Sequence, residues 1–146
     1  MELPAGATGF DAAVADEAEV RGFTTACHHA ARATGGAVTR VVPAGPTPSF
    51  HTVEISLGQQ RIAVLRHSTL PLVAFTDPRG DGELALTFVD HPDLAAAMSG
   101  VPVLSAGQLN APVSQADLGA LGPAEHEQIG YWRPTSVGEL LFNFWD

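Results

Sequence analysis

The feature that most constrains this chain is a change of hydrophobic period in its middle. From His51 to Leu57, His51, Val53, Ile55 and Leu57 alternate with Thr52, Glu54 and Ser56. Gly58-Gln59 follows, and Gln60 to Arg66 returns through Ile62, Ala63, Val64 and Leu65. A period of two, a short Gly turn and a second apolar run predict an antiparallel hairpin. Neighbouring segments extend it. Ala37–Val42 is short and β-branched, and Leu70 to Phe75 is apolar with Pro71 near its start. Glu83 to Asp90 alternates again, with Leu84, Leu86 and Phe88 on one face, after the turn residues Asp77-Pro78-Arg79-Gly80-Asp81-Gly82. The expected fold class is α+β, with an antiparallel meander sheet of four to six strands.

One face of such a sheet needs a cover. Phe10, Val14, Val20, Phe23, Cys27 and Ala30 fall mostly three and four apart and predict a helix from Phe10 to Ala33, bent or broken near Gly22. Its acids (Asp11, Asp16, Glu17, Glu19) come early and His28, His29 and Arg32 late, as the helix dipole favours, and Gly35-Gly36 stops it. Residues 1–9 read as a loose lead-in. Residues 43–49, with Pro43, Pro46 and Pro48, read as a Pro-rich surface loop within a single domain spanning 1–146. They are not a domain linker, because the 42 residues before them are too few for a core of their own.

Short helices are expected after the sheet. One is capped by Asp90 or His91, has Pro92 at its first position and closes at Gly100; Val101 to Ser105 would be a further strand. Ser114-Gln115-Ala116-Asp117 is a variant capping box for a helix to Gly122, and Pro123 starts another to Gly130. Ser136-Val137-Gly138-Glu139 is a capping box in its preferred form. On a helical wheel Val137, Leu140, Leu141, Phe142, Phe144 and Trp145 spread over about 200°, which predicts a buried C-terminal helix.

Composition narrows the function. Seven Arg, no Lys and 16 carboxylates give a formal net charge of −9, which argues against a phosphate backbone or an anionic membrane surface and suits a basic partner. A lone Cys27 excludes a disulfide framework and a four-thiolate zinc site. The first residues lack a positive n-region and an apolar h-region, and no run approaches the roughly 18 apolar residues of a membrane span, so a cytoplasmic location is expected.

The chemistry-bearing residues form no established motif. Neither a His-x-x-x-His pair nor a His-Glu-x-x-His sequence occurs, and Asp77, Asp81 and Glu83 lack the twelve-residue calcium-loop pattern, so neither metal nor cofactor is expected. Cys27 and His28 are adjacent and do not face each other on a helix. With a turn centred on Gly58-Gln59, His51 and His67 would lie opposite one another across the hairpin, a relation that a slip of one residue destroys. His51, His67 and Asp90 are the first candidates for acid–base catalysis in an apolar pocket. Asp77, Asp81, Glu83, Asp90 and Asp93 are the candidate binding surface for a basic protein.

The ending Tyr131-Trp132-Arg133-Pro134, then Val137-Gly138-Glu139-Leu140-Leu141-Phe142-Asn143-Phe144-Trp145-Asp146, resembles a recurring ending of short bacterial proteins of high-GC genomes. Some of these are similar to predicted immunity proteins of polymorphic toxin systems. The similarity runs from Ser114 onward, includes Asp117-Leu118 and Glu125, and carries no catalytic motif. It implies a non-enzymatic protein that neutralises a toxin domain. The alternative reading of the residues is a small cofactor-independent acid–base enzyme of secondary metabolism.

Overall fold

The hairpin forms as its period requires, in a register one residue away from the expected one. The computed structural model describes residues 1–10, 15–45, 47–80, 85–98 and 100–145. Five strands, β1 (Ala37–Val42), β2 (Phe50–Leu57), β3 (Gln60–His67), β4 (Val73–Thr76) and β5 (Phe88–Val89), lie in the order β1-β2-β3-β4-β5, and each neighbouring pair is antiparallel. Gly58 takes φ +66° at the first central position of the β2–β3 turn, where a two-residue hairpin needs a residue without Cβ. Leu57 faces Gln60, so His51 faces Arg66 and Phe50 faces His67. Successive side chains point to opposite faces, so the expected pairing of His51 with His67 fails by one residue and the two imidazoles lie on opposite sides of the sheet.

The α1 face was the more legible one. α1 (Glu17–Ala33) begins where the Asp16 side chain accepts the amide of Glu19, and it runs unbroken through Gly22. The expected start at Phe10 is not met, since Phe10 lies outside the helix; Asp11 and Val14 lie outside the described residues. Phe23, Cys27, Ala30 and Ala31 pack on Val53, Ile55, Ile62, Val64, Val73 and Phe75. Leu94 and Met98 complete this layer from α2 (Pro92–Ala97) and its C-cap, and Nδ1 of His91 caps that helix at the amide of Leu94.

The opposite face carries Phe50, Leu65, Ala74 and Phe88, and its cover has no period at all. It is assembled from the chain's start and from everything after α2: α3 (Ala106–Asn110), a 3₁₀ turn (Val113–Gln115), α4 (Pro123–Trp132) and α5 (Val137–Leu141). Here most local expectations are corrected by pairing between distant segments. Residues 1–9 are no loose lead-in, because Leu3, Ala7 and Thr8 are fully buried. Leu3 donates to the carbonyl of Asp117, and Asp117 to that of Met1. That pairing holds the Ser114–Asp117 segment out of the expected helix; the two-way capping box sits at Ser105 and Gln108 instead. The expected strand over Val101 to Ser105 shrinks to one bridge from Val103 to Val73, because β5 takes the rest of that β4 edge. β4 itself starts at Val73, because residues 68–72 turn around His67. α5 stops at Leu141, where Ser49 and Asn143 exchange hydrogen bonds, but its burial is as expected: Val137, Leu140, Leu141 and Phe142 are all inside.

Candidate functional site

The end of the chain closes one side of a cleft of about 730 Å³. Trp132 comes from the last turn of α4, Ser136 and Glu139 from the start of α5, and Phe142, Asn143, Phe144 and Trp145 from the extended segment after it. Ala85, Leu86, Phe88 and Asn110 line the other side. Each element is placed for a local reason. Arg133 adopts the left-handed conformation (φ +50°) that ends α4 and donates its amide to Ile129, which turns the chain toward Pro134. Ser136 then caps α5 by accepting the amide of Glu139 at 3.1 Å. The capping box is only half formed, since Oε2 of Glu139 takes the amide (2.8 Å) and hydroxyl (3.1 Å) of Thr135. Gly138 packs so closely under Phe88 that a Cβ there would collide with the ring and lie 3.0 Å from the carbonyl of Leu109.

The walls are aromatic. Trp132 and Trp145 stack with ring planes 3° apart and centroids 6.1 Å apart, and Phe88 and Phe142 meet at 6.0 Å. Phe144 packs edge-on to Phe50 at 5.3 Å. The guanidinium of Arg79 lies over Phe144, 4.7 Å from its centroid, and 5.6 Å from that of Phe50. Outside the cleft, on the next position of α4, Tyr131 is 76% exposed and meets Trp132 edge-to-face at 5.1 Å; Trp132 itself is 39% exposed. Glu127 and Gln128 share that outer surface, and the indole of Trp132 donates to Gln128 at 3.0 Å.

Behind the cleft floor lies a buried polar network. Glu125 accepts the amide of Gly6, and the amide and hydroxyl of Thr8, at 2.7–3.0 Å. Burial pushes its carboxyl upward, but these donors together with Gly122 outweigh that and hold it below the usual range. His67 places Nε2 2.7 Å from the carbonyl of Ala7, while Nδ1 accepts the amides of Thr69 and Leu70. Those contacts fit a neutral ring with its proton on Nε2. Burial, followed by Arg66, lowers its pKa to about 4 against the opposing Ala7 bond and Glu125. Asn143 donates to the carbonyls of Thr8 and Leu140. His67 stands edge-on behind Phe142 at 6.1 Å, so network and cleft share a wall.

The sequence-derived candidates do not assemble into one catalytic group. His51 is half-buried on the α1 face, where Nδ1 accepts the amide of Ala44 and burial, then Arg66, lowers its pKa. His67 is fully enclosed on the other face, and Asp90 is exposed and accepts the amide of Ala106 at the start of α3. Of the candidate acidic surface, Asp77, Asp90 and Asp93 are exposed, with Asp90 and Asp93 flanking the start of α2; Asp81 and Glu83 lie outside the described residues. Cys27 is buried and its thiol is pushed up to about 12 by burial. Among the described residues, no three His, Cys, Asp or Glu side chains converge as a metal site, and no helix is long and apolar enough to cross a membrane.

Glu125, Tyr131 and Trp132 enter the sequence reading only within the C-terminal resemblance and not as site residues. The available signal was in α4, whose apolar residues follow no single stripe: it buries a glutamate and exposes a tyrosine and a tryptophan, the reverse of the usual preference. Compared with models of protein families, with curated proteins and with solved structures, the chain matches none.

Proposed function

We propose that this chain is a binding protein that captures a basic protein partner, of the immunity type that its C-terminal segment resembles. One observation carries the reading: Tyr131 and Trp132 stand side by side at the surface of α4, beside the aromatic cleft, on a chain of net charge −9. Tyrosine and tryptophan are the residues that most often dominate interface energy, because each buries a large rigid area with few rotatable bonds. A protein with no need of these rings in its core leaves them outside for something else to cover. The exposed carboxylates Glu127 and Glu139 adjoin them, and Asp77, Asp90 and Asp93 add to the negative field that would steer a basic surface inward. A toxin domain held there would be inactivated by occlusion, with no chemical step.

The test is capture from a lysate of the encoding organism by the purified wild-type protein and by a Tyr131→Ala/Trp132→Ala variant. The expected result is a basic protein retained by the wild type at low salt, lost at high salt, and lost by the variant at either. The same proteins retained by both forms would refute the reading.

A further inference from the structure

The aromatic cleft has an acid at its mouth and already shows what its walls accept. Arg79 of the same chain lays its guanidinium over Phe144, a wall of the cleft, at 4.7 Å. That is the geometry in which a cation is attracted to a ring face. Within the cleft, Trp132 and Trp145 offer further indole surface, the richest ring system for this contact. Glu139 faces the same space with a carboxylate that spends Oε2 on Thr135 and leaves Oε1 without a partner among the described residues. A planar guanidinium stacks on aromatic rings while its in-plane N–H groups donate to a carboxylate oxygen at its edge, whereas an ammonium is a compact point charge with no plane to stack.

We infer that the cleft between α4, α5 and the segment Phe142–Trp145 is a receptor for an arginine side chain presented by an extended segment of the basic partner. The inference rests on the basic-partner reading and makes it specific. The guanidinium stacks against the Trp132, Phe144 and Trp145 rings and pairs with Oε1 of Glu139; the partner's neighbouring residues lie over Tyr131. The volume of about 730 Å³ admits one long side chain with part of the backbone that carries it.

Trp132 and Trp145 are the only tryptophans of the chain, so its indole fluorescence reads this cleft and no other place. The probe is acetylated, amidated tetra-arginine, titrated into the full chain against its citrulline counterpart, which keeps the shape and loses the charge. A saturable change with the arginine peptide and none with citrulline is expected. Glu139→Gln keeps an acceptor for Thr135 and is expected to weaken binding about tenfold, equivalent to one charge-assisted contact. Trp145→Ala, checked for folding by circular dichroism, is expected to abolish saturation read from Trp132. An equal response to citrulline, an unchanged Glu139→Gln affinity, or no response from the folded protein overturns the inference. Such a failure with Tyr131- and Trp132-dependent capture intact would remove the arginine receptor alone. Failed capture with a positive titration would remove the partner reading instead.

Discussion

The two faces of the sheet are held by different physics. Under α1 the contacts are mostly apolar and repeat with the helix: Phe23, Cys27 and Ala30 stand three and four apart over Val53, Ile55, Ile62 and Val64, beside an ion pair from buried Arg66 to Glu19. On the other face, Phe50, Leu65 and Phe88 are covered by pieces from both ends of the chain, pinned by Glu125, His67 and Asn143. A periodic apolar layer tolerates the loss of one contact by local relaxation. A layer of short segments tied by buried polar groups does not, because each lost partner strands a donor or acceptor away from water. The cleft is built on the second face, so its shape depends on those ties.

The largest break in that comparison is removal of the chain's end. A chain stopping at residue 138 lacks Leu140, Leu141 and Phe142, all buried, each contributing roughly 1.5–3 kcal/mol. The expected outcome is loss of a cooperative thermal transition, whereas removal of residues 1–2 should leave one; calorimetry decides between them.

Acid should loosen the same face. Burial above all lowers the pKa of His67 from the ordinary imidazole value of 6.5 to about 4. Between those values the unfolded chain binds the proton more readily, so stability is complete above pH 6.5 and falls as pH drops toward 4, by roughly 3 kcal/mol. His51, lowered in the same direction, adds to the slope. Glu125, also held low, adds a loss below the ordinary carboxylate range as it becomes protonated. Urea melts between pH 4 and 7.5 should show stability rising with pH, and His67→Gln should remove most of that rise. A flat profile in the wild type would contradict the tie through neutral His67.

Glu125→Ala strands the amides of Gly6 and Thr8 and the Thr8 hydroxyl, and is expected to cost about 3 kcal/mol in urea unfolding. Gly138→Ala forces the Phe88 ring aside under α5, with an expected loss of about 2 kcal/mol and a cleft altered in shape. Cys27→Ala on the α1 face shortens a side chain in the periodic layer and should cost only about 1 kcal/mol. If Cys27→Ala proved as damaging as Glu125→Ala, the contrast between the faces would be wrong.

The same contrast explains what the sequence disclosed. Where the reading rested on a period or a two-residue turn, the centre of the element is present but its ends are shorter. α1 starts at Glu17, the β2–β3 hairpin and the meander order form, and Leu140 and Phe142 are buried although α5 stops at Leu141. Of the alternation from Glu83 to Asp90, only Phe88–Val89 is a strand among the described residues. Where it rested on a four-residue local pattern, distant pairing prevailed. Ser114-Gln115-Ala116-Asp117 has the letters of a helix start, but Asp117 pairs with Met1 and Leu3. Phe142 to Trp145 has helical spacing, but Asn143 pairs with Ser49. The candidate site suffered most. The pairing of His51 with His67 depended on one residue of register, and the buried role of Glu125 depends on a contact 117 positions away with Thr8. No pattern within one sequence records either. Tyr131 and Trp132 were visible as residues, but only burial shows that the core does not use them.

The most direct test of arginine capture is a two-dimensional ¹H–¹⁵N spectrum, in which the indoles of Trp132 and Trp145 give two separate signals. On addition of the arginine peptide both signals should move in a saturable way, and the citrulline peptide should move neither. Indole signals that stay in place while the peptide binds elsewhere would contradict the proposal that the aromatic cleft receives an arginine side chain.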